Sequence, residues 1–295
     1  MDERKKIEAF YLLMNTPPVL NLEVLERLIK ELENLAAFWE LSSQNINKLK
    51  LPDKEKEKLI IKKETAQLDK IVKDITDLEC SVKVYTDEDY PIRLKKYKYC
   101  PVMIFYKGNI SLLDQNRVLA IIGTRKSSNY GELLVEDFVR SISKYKHPIV
   151  TGLALGIDQK VMQTSLKTEN KCISILASGI DKITPKKNKE VLDQVVYNGG
   201  CYLTEFPPGV ASYRSNYPIR SKLMAALATD IIIIEAPLGS GAILVANEAF
   251  RLSKNVFCPS SYNNDKNFWG SHELIESSKA VLVRNFEDVI NYKTG

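Results

Sequence analysis

The stretch from Val118 to Asp158 limits this chain to one class of fold. It begins Val-Leu-Ala-Ile-Ile-Gly-Thr-Arg, continues through an amphipathic segment, and closes on Ile-Val-Thr-Gly-Leu-Ala-Leu-Gly-Ile-Asp. Each half is a short apolar run rich in β-branched residues, then a glycine-bearing turn, then a helical pattern. That succession is the pattern of an open, mostly parallel α/β sheet with helices on both faces. In such sheets the turns at the carboxyl ends of the strands hold the ligand. Two glycine turns and Arg125 therefore predict a site for something anionic.

The pattern continues to the end of the chain. Strands are predicted over 118–122, 148–151, 172–176, 201–204, 231–235, 255–258 and 280–283. Helices are predicted over 131–145, 158–168, 187–197, 219–228 and 241–252. The run Ile231 to Ile234 is apolar on both faces, as a strand covered by helices on each side should be. Upstream the periodicity changes. Leu22, Leu25, Leu28, Ile29, Leu32, Leu35 and Ala36 recur at helical spacing, as do Leu68, Ile71, Val72, Ile75 and Leu78. The Lys/Glu-rich segment between them, Lys48 to Lys63, reads as a solvated helix face of mixed charge rather than a DNA-binding arm, because Asp53, Glu55, Glu57 and Glu64 offset its lysines. Two strand-like runs, Val82–Tyr85 and Val102–Tyr106, connect the halves. The expected division is a helical domain over 1–78, a connector with strands over 79–115, and the sheet domain over 116–295. A chain of 295 residues has room for about two domains.

Composition excludes several classes. No apolar run approaches the roughly 20 residues a membrane helix needs, and the charged start Met1-Asp-Glu-Arg-Lys-Lys6 is not followed by a signal-peptide core. A cytoplasmic protein with no membrane partner is expected. The five cysteines form no C-x-x-C pair and are expected as buried thiols. No metal and no cofactor are predicted. A net charge of +5 permits a polyanionic partner without requiring one.

Five turns are candidates for chemistry. Gly123-Thr124-Arg125 lets the backbone approach a phosphate and adds a planar fork of donors. Gly152-Leu-Ala-Leu-Gly156-Ile-Asp158 is a tight strand-to-helix turn in which Asp158 caps the helix or orients a neighbour. Lys186 and Lys187 follow Gly179 and Pro185; they either reach a phosphate or are exposed residues in the first turn of a helix. Tyr213, Arg214, Tyr217, Arg220 and Lys222 interleave rings and cations with few negative charges, which suits single-stranded nucleic acid; the alternative is a proline-pinned loop with its tyrosines on the core. Gly239-Ser240-Gly241 offers free amides at a helix start, or a close packing turn. Several templates fail: there is no G-x-x-x-x-G-K-[ST] and no G-x-G-x-x-G. The two histidines, His147 and His272, sit in no nucleophile or metal motif and are expected to be structural or solvent-facing.

Taken in order, Gly123-Thr-Arg125, Thr151-Gly-Leu-Ala-Leu-Gly-Ile-Asp158, Ser178-Gly-Ile-Asp181 with Pro185 and Asn188, Glu205-Phe-Pro-Pro-Gly209, Tyr217-Pro-Ile-Arg220 and Glu235-Ala-Pro-Leu-Gly-Ser-Gly-Ala242 resemble the DNA-processing protein A (DprA/Smf) family. Tyr85-Thr-Asp-Glu-Asp-Tyr-Pro91 and Phe105-Tyr-Lys-Gly108 extend the resemblance upstream, so that it spans about 80 to 290. The resemblance implies a Rossmann-like core, preceded by a small sterile-alpha-motif-like helical domain. It implies a homodimer that binds single-stranded DNA without catalysis, protects incoming strands in natural transformation and loads the recombinase RecA. By position it makes Arg125 a phosphate ligand. It places Lys186 or Lys187, Arg214, Tyr217 and Arg220 in segments that supply further DNA contacts, with Tyr217 as the base-stacking ring. The chain departs from the family pattern at Leu155, at Gln159-Lys160, at Ser221-Lys222, at Ser271-His272, and around Thr16-Pro17-Pro18, where a helix-hairpin-helix glycine is absent. The runner-up is a Rossmann-like nucleotide sensor or hydrolase, with Gly239-Ser-Gly241 on the phosphate and Glu248 on the ribose or as acid/base. A third is a protein-interaction scaffold whose pocket has decayed.

Overall fold

The computed structural model describes residues 3–15, 22–65, 73, 76–77, 80–97, 100–261 and 265–292. The predicted helical residues Leu68, Ile71, Val72, Ile75 and Leu78, and the Thr16-Pro17-Pro18 segment, lie outside them. The chain separates into two compact units, Met1–Tyr90 with Cys100–Phe105, and Pro91–Tyr99 with Tyr106–Gly295.

The first unit contains α1 (Glu3–Asn15), α2 (Leu22–Leu32), a 3-10 turn (Leu35–Glu40), α3 (Ser43–Lys48), α4 (Asp53–Thr65) and strand β1 (Ser81–Val84). The start of β2 (Met103–Gly108) also belongs to it. Its core is Phe10, Leu13, Leu25, Leu28, Phe38 and Leu59, all fully buried. The apolar pattern predicted past Leu32 does not continue as one helix. Glu33 adopts a φ of 56°, which ends the helix, and Asn34 Oδ1 then accepts from Ala36 N at 2.9 Å to start the 3-10 turn. The expected solvated face is solvated only in part. Lys62 is buried, its Nζ donates to Leu12 O at 2.7 Å, and burial lowers its pKa to about 8.

The second unit begins with the short helix α5 (Ile92–Lys95) and holds seven parallel strands: β3 (Leu119–Ile122), β4 (Ile149–Thr151), β5 (Cys172–Ile175), β6 (Cys201–Thr204), β7 (Asp230–Ile233), β8 (Asn255–Pro259) and β9 (Val281–Val283). Between them run α6 (Asn129–Ser143), α7 (Ile157–Lys167), α8 (Lys189–Tyr197), α9 (Asn216–Leu227), α10 (Gly241–Arg251) and α11 (Trp269–Glu276), with α12 (Phe286–Asn291) last. All seven strands start and end within two residues of the prediction. Alternation in β3 and β7 sorts the layers. Leu119, Ile121, Ile232 and Ile234 pack with Val135 and Phe138 of α6 and Val161 of α7, while Ile122 faces Met224 of α9 and Val245 of α10.

Strand order places the site. The sequence of strands across the sheet is β6-β5-β4-β3-β7-β8-β9. The chain starts at β3, builds outward to β6, then crosses to the other side of β3 and builds outward again. Two neighbouring strands, β3 and β7, therefore send their following loops in diverging directions, and a crevice opens at their carboxyl ends.

Candidate functional site

Three loops meet at that crevice, and their backbones hold one another. Thr124 N donates to Glu235 O at 2.7 Å and Ile157 N to Thr124 O at 3.1 Å. The Glu235 carboxylate, fully buried, accepts from Ser128 N at 3.0 Å. Ser128 in turn caps α6 by accepting from Gly131 N at 3.0 Å. The turn carrying Arg125 is thus fixed at both ends by one residue of β7's loop. Burial pushes the Glu235 carboxyl above its usual range, against the pull of the Ser128 amide.

Around this frame lies a cavity of about 330 Å³. Arg125 and Lys126 stand exposed at its mouth, and Ser240 and Gly241 present the start of α10, with Ser240 Oγ accepting from Ala242 N at 3.2 Å. Its apolar wall is Met224, Leu244 and Val245. The ring of Tyr217 lies 4.7 Å from the Arg125 guanidinium carbon and 5.2 Å from that of Arg220. Such contacts orient both cations. Asp158, which is buried, and Arg220, which is half-buried, also line it. Burial pushes the Asp158 carboxyl up, with Arg220 the largest opposing influence, and burial pushes the Arg220 guanidinium down.

Of the predicted residues, Gly123, Arg125, Tyr217, Arg220, Ser240 and Gly241 all line this cavity. Gly152 supports it from below: a Cβ there would lie 2.3 Å from Asp158 Oδ2 and 3.0 Å from Arg220 Nη1. Gly239 is an exposed turn residue with φ 70°. Lys186 and Lys187 are exposed on a 3-10 turn, and Arg214 is exposed ahead of α9; none of the three lines the cavity. Lys222 is half-buried and faces Glu205, whose carboxyl burial pushes up to about 7. Tyr217 already carries two guanidinium contacts, whereas the Tyr213 ring is 61% exposed.

Two of the residues that depart from the family pattern have local partners. Ser221 Oγ donates back to Tyr217 O at 2.9 Å, so it closes on its own helix. His272 Nε2 pairs with Ser261 Oγ at 2.8 Å. Glu248, the residue a nucleotide hydrolase would need, is committed elsewhere: it accepts from Tyr97 Oη at 2.9 Å and from Arg251 Nη1 at 3.2 Å. Reasoning from sequence missed the holding role of Glu235 and the apolar wall. An acidic residue closing a run of four isoleucines was the available signal for the first.

Among the described residues no group of three or more His, Cys, Asp or Glu is placed to hold a metal, and no helix is long and apolar enough to cross a membrane.

Comparison with known proteins bears on the family and the fold. The profile of the family described as DNA recombination-mediator protein A matches residues 81–294. DNA processing protein DprA of Streptococcus pneumoniae is 32% identical over 204 residues, 69% of this chain and 71% of that protein. DprA of Bacillus subtilis is 28% identical over 204 residues, 69% of this chain and 68% of that protein. The X-ray structure of the S. pneumoniae DprA shares the fold with a TM-score of 0.81 at 24% identity, covering 99% of each chain. A structure of DNA processing protein A from Helicobacter pylori, reported for its single-stranded DNA binding mode, matches with a TM-score of 0.64 at 27% identity, covering 72% of this chain and 96% of that one. This chain therefore belongs to the DNA recombination-mediator protein A family.

Proposed function

We propose that the second unit binds single-stranded DNA at the β3–β7 crevice and acts by binding, without turnover. The observation that carries this reading is the placement of Arg125: an exposed guanidinium on a turn held by Glu235, at the mouth of a cavity with an apolar wall. A planar fork suits phosphate oxygens, and an apolar, ring-lined recess suits bases. The single-stranded DNA binding of the H. pylori relative supports it. In this reading Tyr217 orients Arg125 and Arg220, the exposed Tyr213 offers a stacking face, and Arg214, Lys186 and Lys187 meet the strand beyond the cavity. Protection of incoming strands, delivery to the recombinase RecA, assembly as a homodimer and a cytoplasmic setting complete the proposal.

Fluorescence anisotropy of a labelled oligothymidine strand, at low and physiological salt with duplex competitor, tests the binding. Affinity should fall steeply with salt as phosphate contacts release counterions. Arg125→Ala should weaken binding to all sequences alike and reduce the salt slope by about one unit. Undiminished affinity in Arg125→Ala would remove Arg125 from the site.

A further inference from the structure

Two guanidiniums crowd one ring at the cavity. Tyr217 and Arg220 are neighbours one turn apart on α9. Arg125 reaches the same ring from the turn after β3. With the guanidinium carbons 4.7 and 5.2 Å from one ring centroid, the two cations are no more than about 10 Å apart. The ring is itself pinned, because its hydroxyl accepts from Ser212 Oγ at 2.9 Å. The screening length at physiological ionic strength is about 8 Å, and partly buried charges are screened less. Each cation therefore acts on the other, and Arg220 also bears a desolvation cost. A pair of like charges held this close needs a negative charge behind it.

Asp158 supplies that charge. It lies in the first turn of α7 and is only 3% exposed. Asp158 Oδ2 and Arg220 Nη1 lie 2.3 and 3.0 Å from the point where Gly152 would carry a Cβ, which puts them within about 5.5 Å of each other. Among the described residues, the ionisable groups acting on Arg220 are Asp158, Tyr217 and Arg125, and Asp158 is the carboxylate of the three. The same carboxylate accepts from Ala154 N at 3.3 Å and from the Gly123 amide. Gly123 opens the turn that carries Arg125, and Ala154 lies in the turn after β4. One buried acid thus ties two of the glycine turns together and balances a cation from α9. A strand does not touch it; Arg125, exposed at the mouth, is the group a phosphate meets.

We propose that Asp158 is a positioning residue for phosphate binding: its charge holds Arg220 against Tyr217, and that ring in turn holds Arg125 where a phosphate meets it. This rests on the single-stranded DNA reading and deepens it. Without the charge, Arg220 is left uncompensated beside Arg125, and Arg125 loses its fixed place. A guanidinium that must be ordered on binding gives up affinity that a fixed one keeps.

The test measures what Arg125 is worth in three backgrounds, by anisotropy of labelled oligothymidine across a salt series. In wild type, Arg125→Ala should weaken binding by about tenfold. In an Asp158→Asn background, which keeps the volume and an amide acceptor, the same change should cost no more than about threefold. The unit of salt slope that Arg125 supplies should vanish there as well. A purely structural loss does not do this: it lowers the folded fraction of both members of a pair and leaves their ratio unchanged. Arg220→Met removes the link at a half-buried position while keeping the apolar stem. It should shrink the Arg125→Ala penalty to the same extent, and it carries the test alone if Asp158→Asn does not fold. A full tenfold penalty in either folded background would overturn the proposal. No strand binding by wild type, or no Arg125→Ala penalty in it, would instead overturn the reading on which this rests.

Discussion

Gly131 and Glu235 give the sharpest test of how the Arg125 turn is held. Gly131 lies in the first turn of α6, where a Cβ would sit 2.1 Å from Glu235 Oε2. Replacing glycine by alanine in a helix is worth about 1 kcal/mol in favour of the folded state. In this protein the gain is opposed, because the carboxylate must move away and give up Ser128 N, which costs about 1–3 kcal/mol. Gly131→Ala alone should therefore be neutral to about 2 kcal/mol destabilising. In a Glu235→Ala background the obstructing atoms are absent, and the same change should stabilise by about 1 kcal/mol. The two substitutions should couple by about 1–3 kcal/mol, the double variant being more stable than the sum of the singles predicts. Urea unfolding, followed by Trp269 fluorescence with Trp39 replaced by Phe, measures all four corners in the second unit. Both tryptophans of the chain are thereby accounted for. Additivity within about 0.5 kcal/mol would refute the claim that Glu235 is the strut beneath the turn.

Two further outcomes follow from burial. The Glu205 carboxyl is pushed up to about 7 in the folded state, above its ordinary value of 4.5. Its contribution is therefore fully present below about pH 4.5 and lost as pH rises through 7; stability should drop by about 1–2 kcal/mol between pH 5 and 8, and Glu205→Gln should flatten that drop in urea titrations at each pH. Burial pushes the Cys172 and Cys258 thiols up to about 12, and Cys201 higher still. All three should resist alkylation at pH 8 in native protein and react once urea is added, as mass spectrometry of the labelled peptides would report; labelling of native Cys201 would contradict its burial.

The sheet was legible because its strands are buried on both faces. Runs such as Leu119–Ile122 and Asp230–Ile233 are too apolar for any other setting, and the turns that follow them mark their ends. Short elements were not legible: α11 and α12 span 8 and 6 residues and carry too few apolar positions to show a period. The halt of α2 at Glu33 was hidden for a different reason, since a left-handed backbone at glutamate leaves no mark in composition. At the site, topology brings Gly123, Arg125, Tyr217, Arg220, Ser240 and Gly241 together because each follows a strand or opens a helix at the same end of the sheet. What each side chain does there depends on neighbours distant in sequence. The Tyr217 ring, a candidate for base stacking, lies beside two guanidiniums. Lys222, a candidate for DNA contact, faces Glu205. No local spacing encodes those pairings.

The hydrogen bond from Ser128 to Glu235 joins residues 107 positions apart. At a synthesis rate of about 5–20 residues per second, Glu235 is made some 5–20 seconds after Ser128. During that interval the nascent chain already displays Arg125 but lacks the support that fixes it. Competence to capture a ligand at this crevice thus arrives late, as a single event, when β7 inserts beside β3. A ribosome stalled before residue 235 would carry a partial sheet with an unbraced turn, and a truncated product would lack the site even with every predicted cation of the first turn in place.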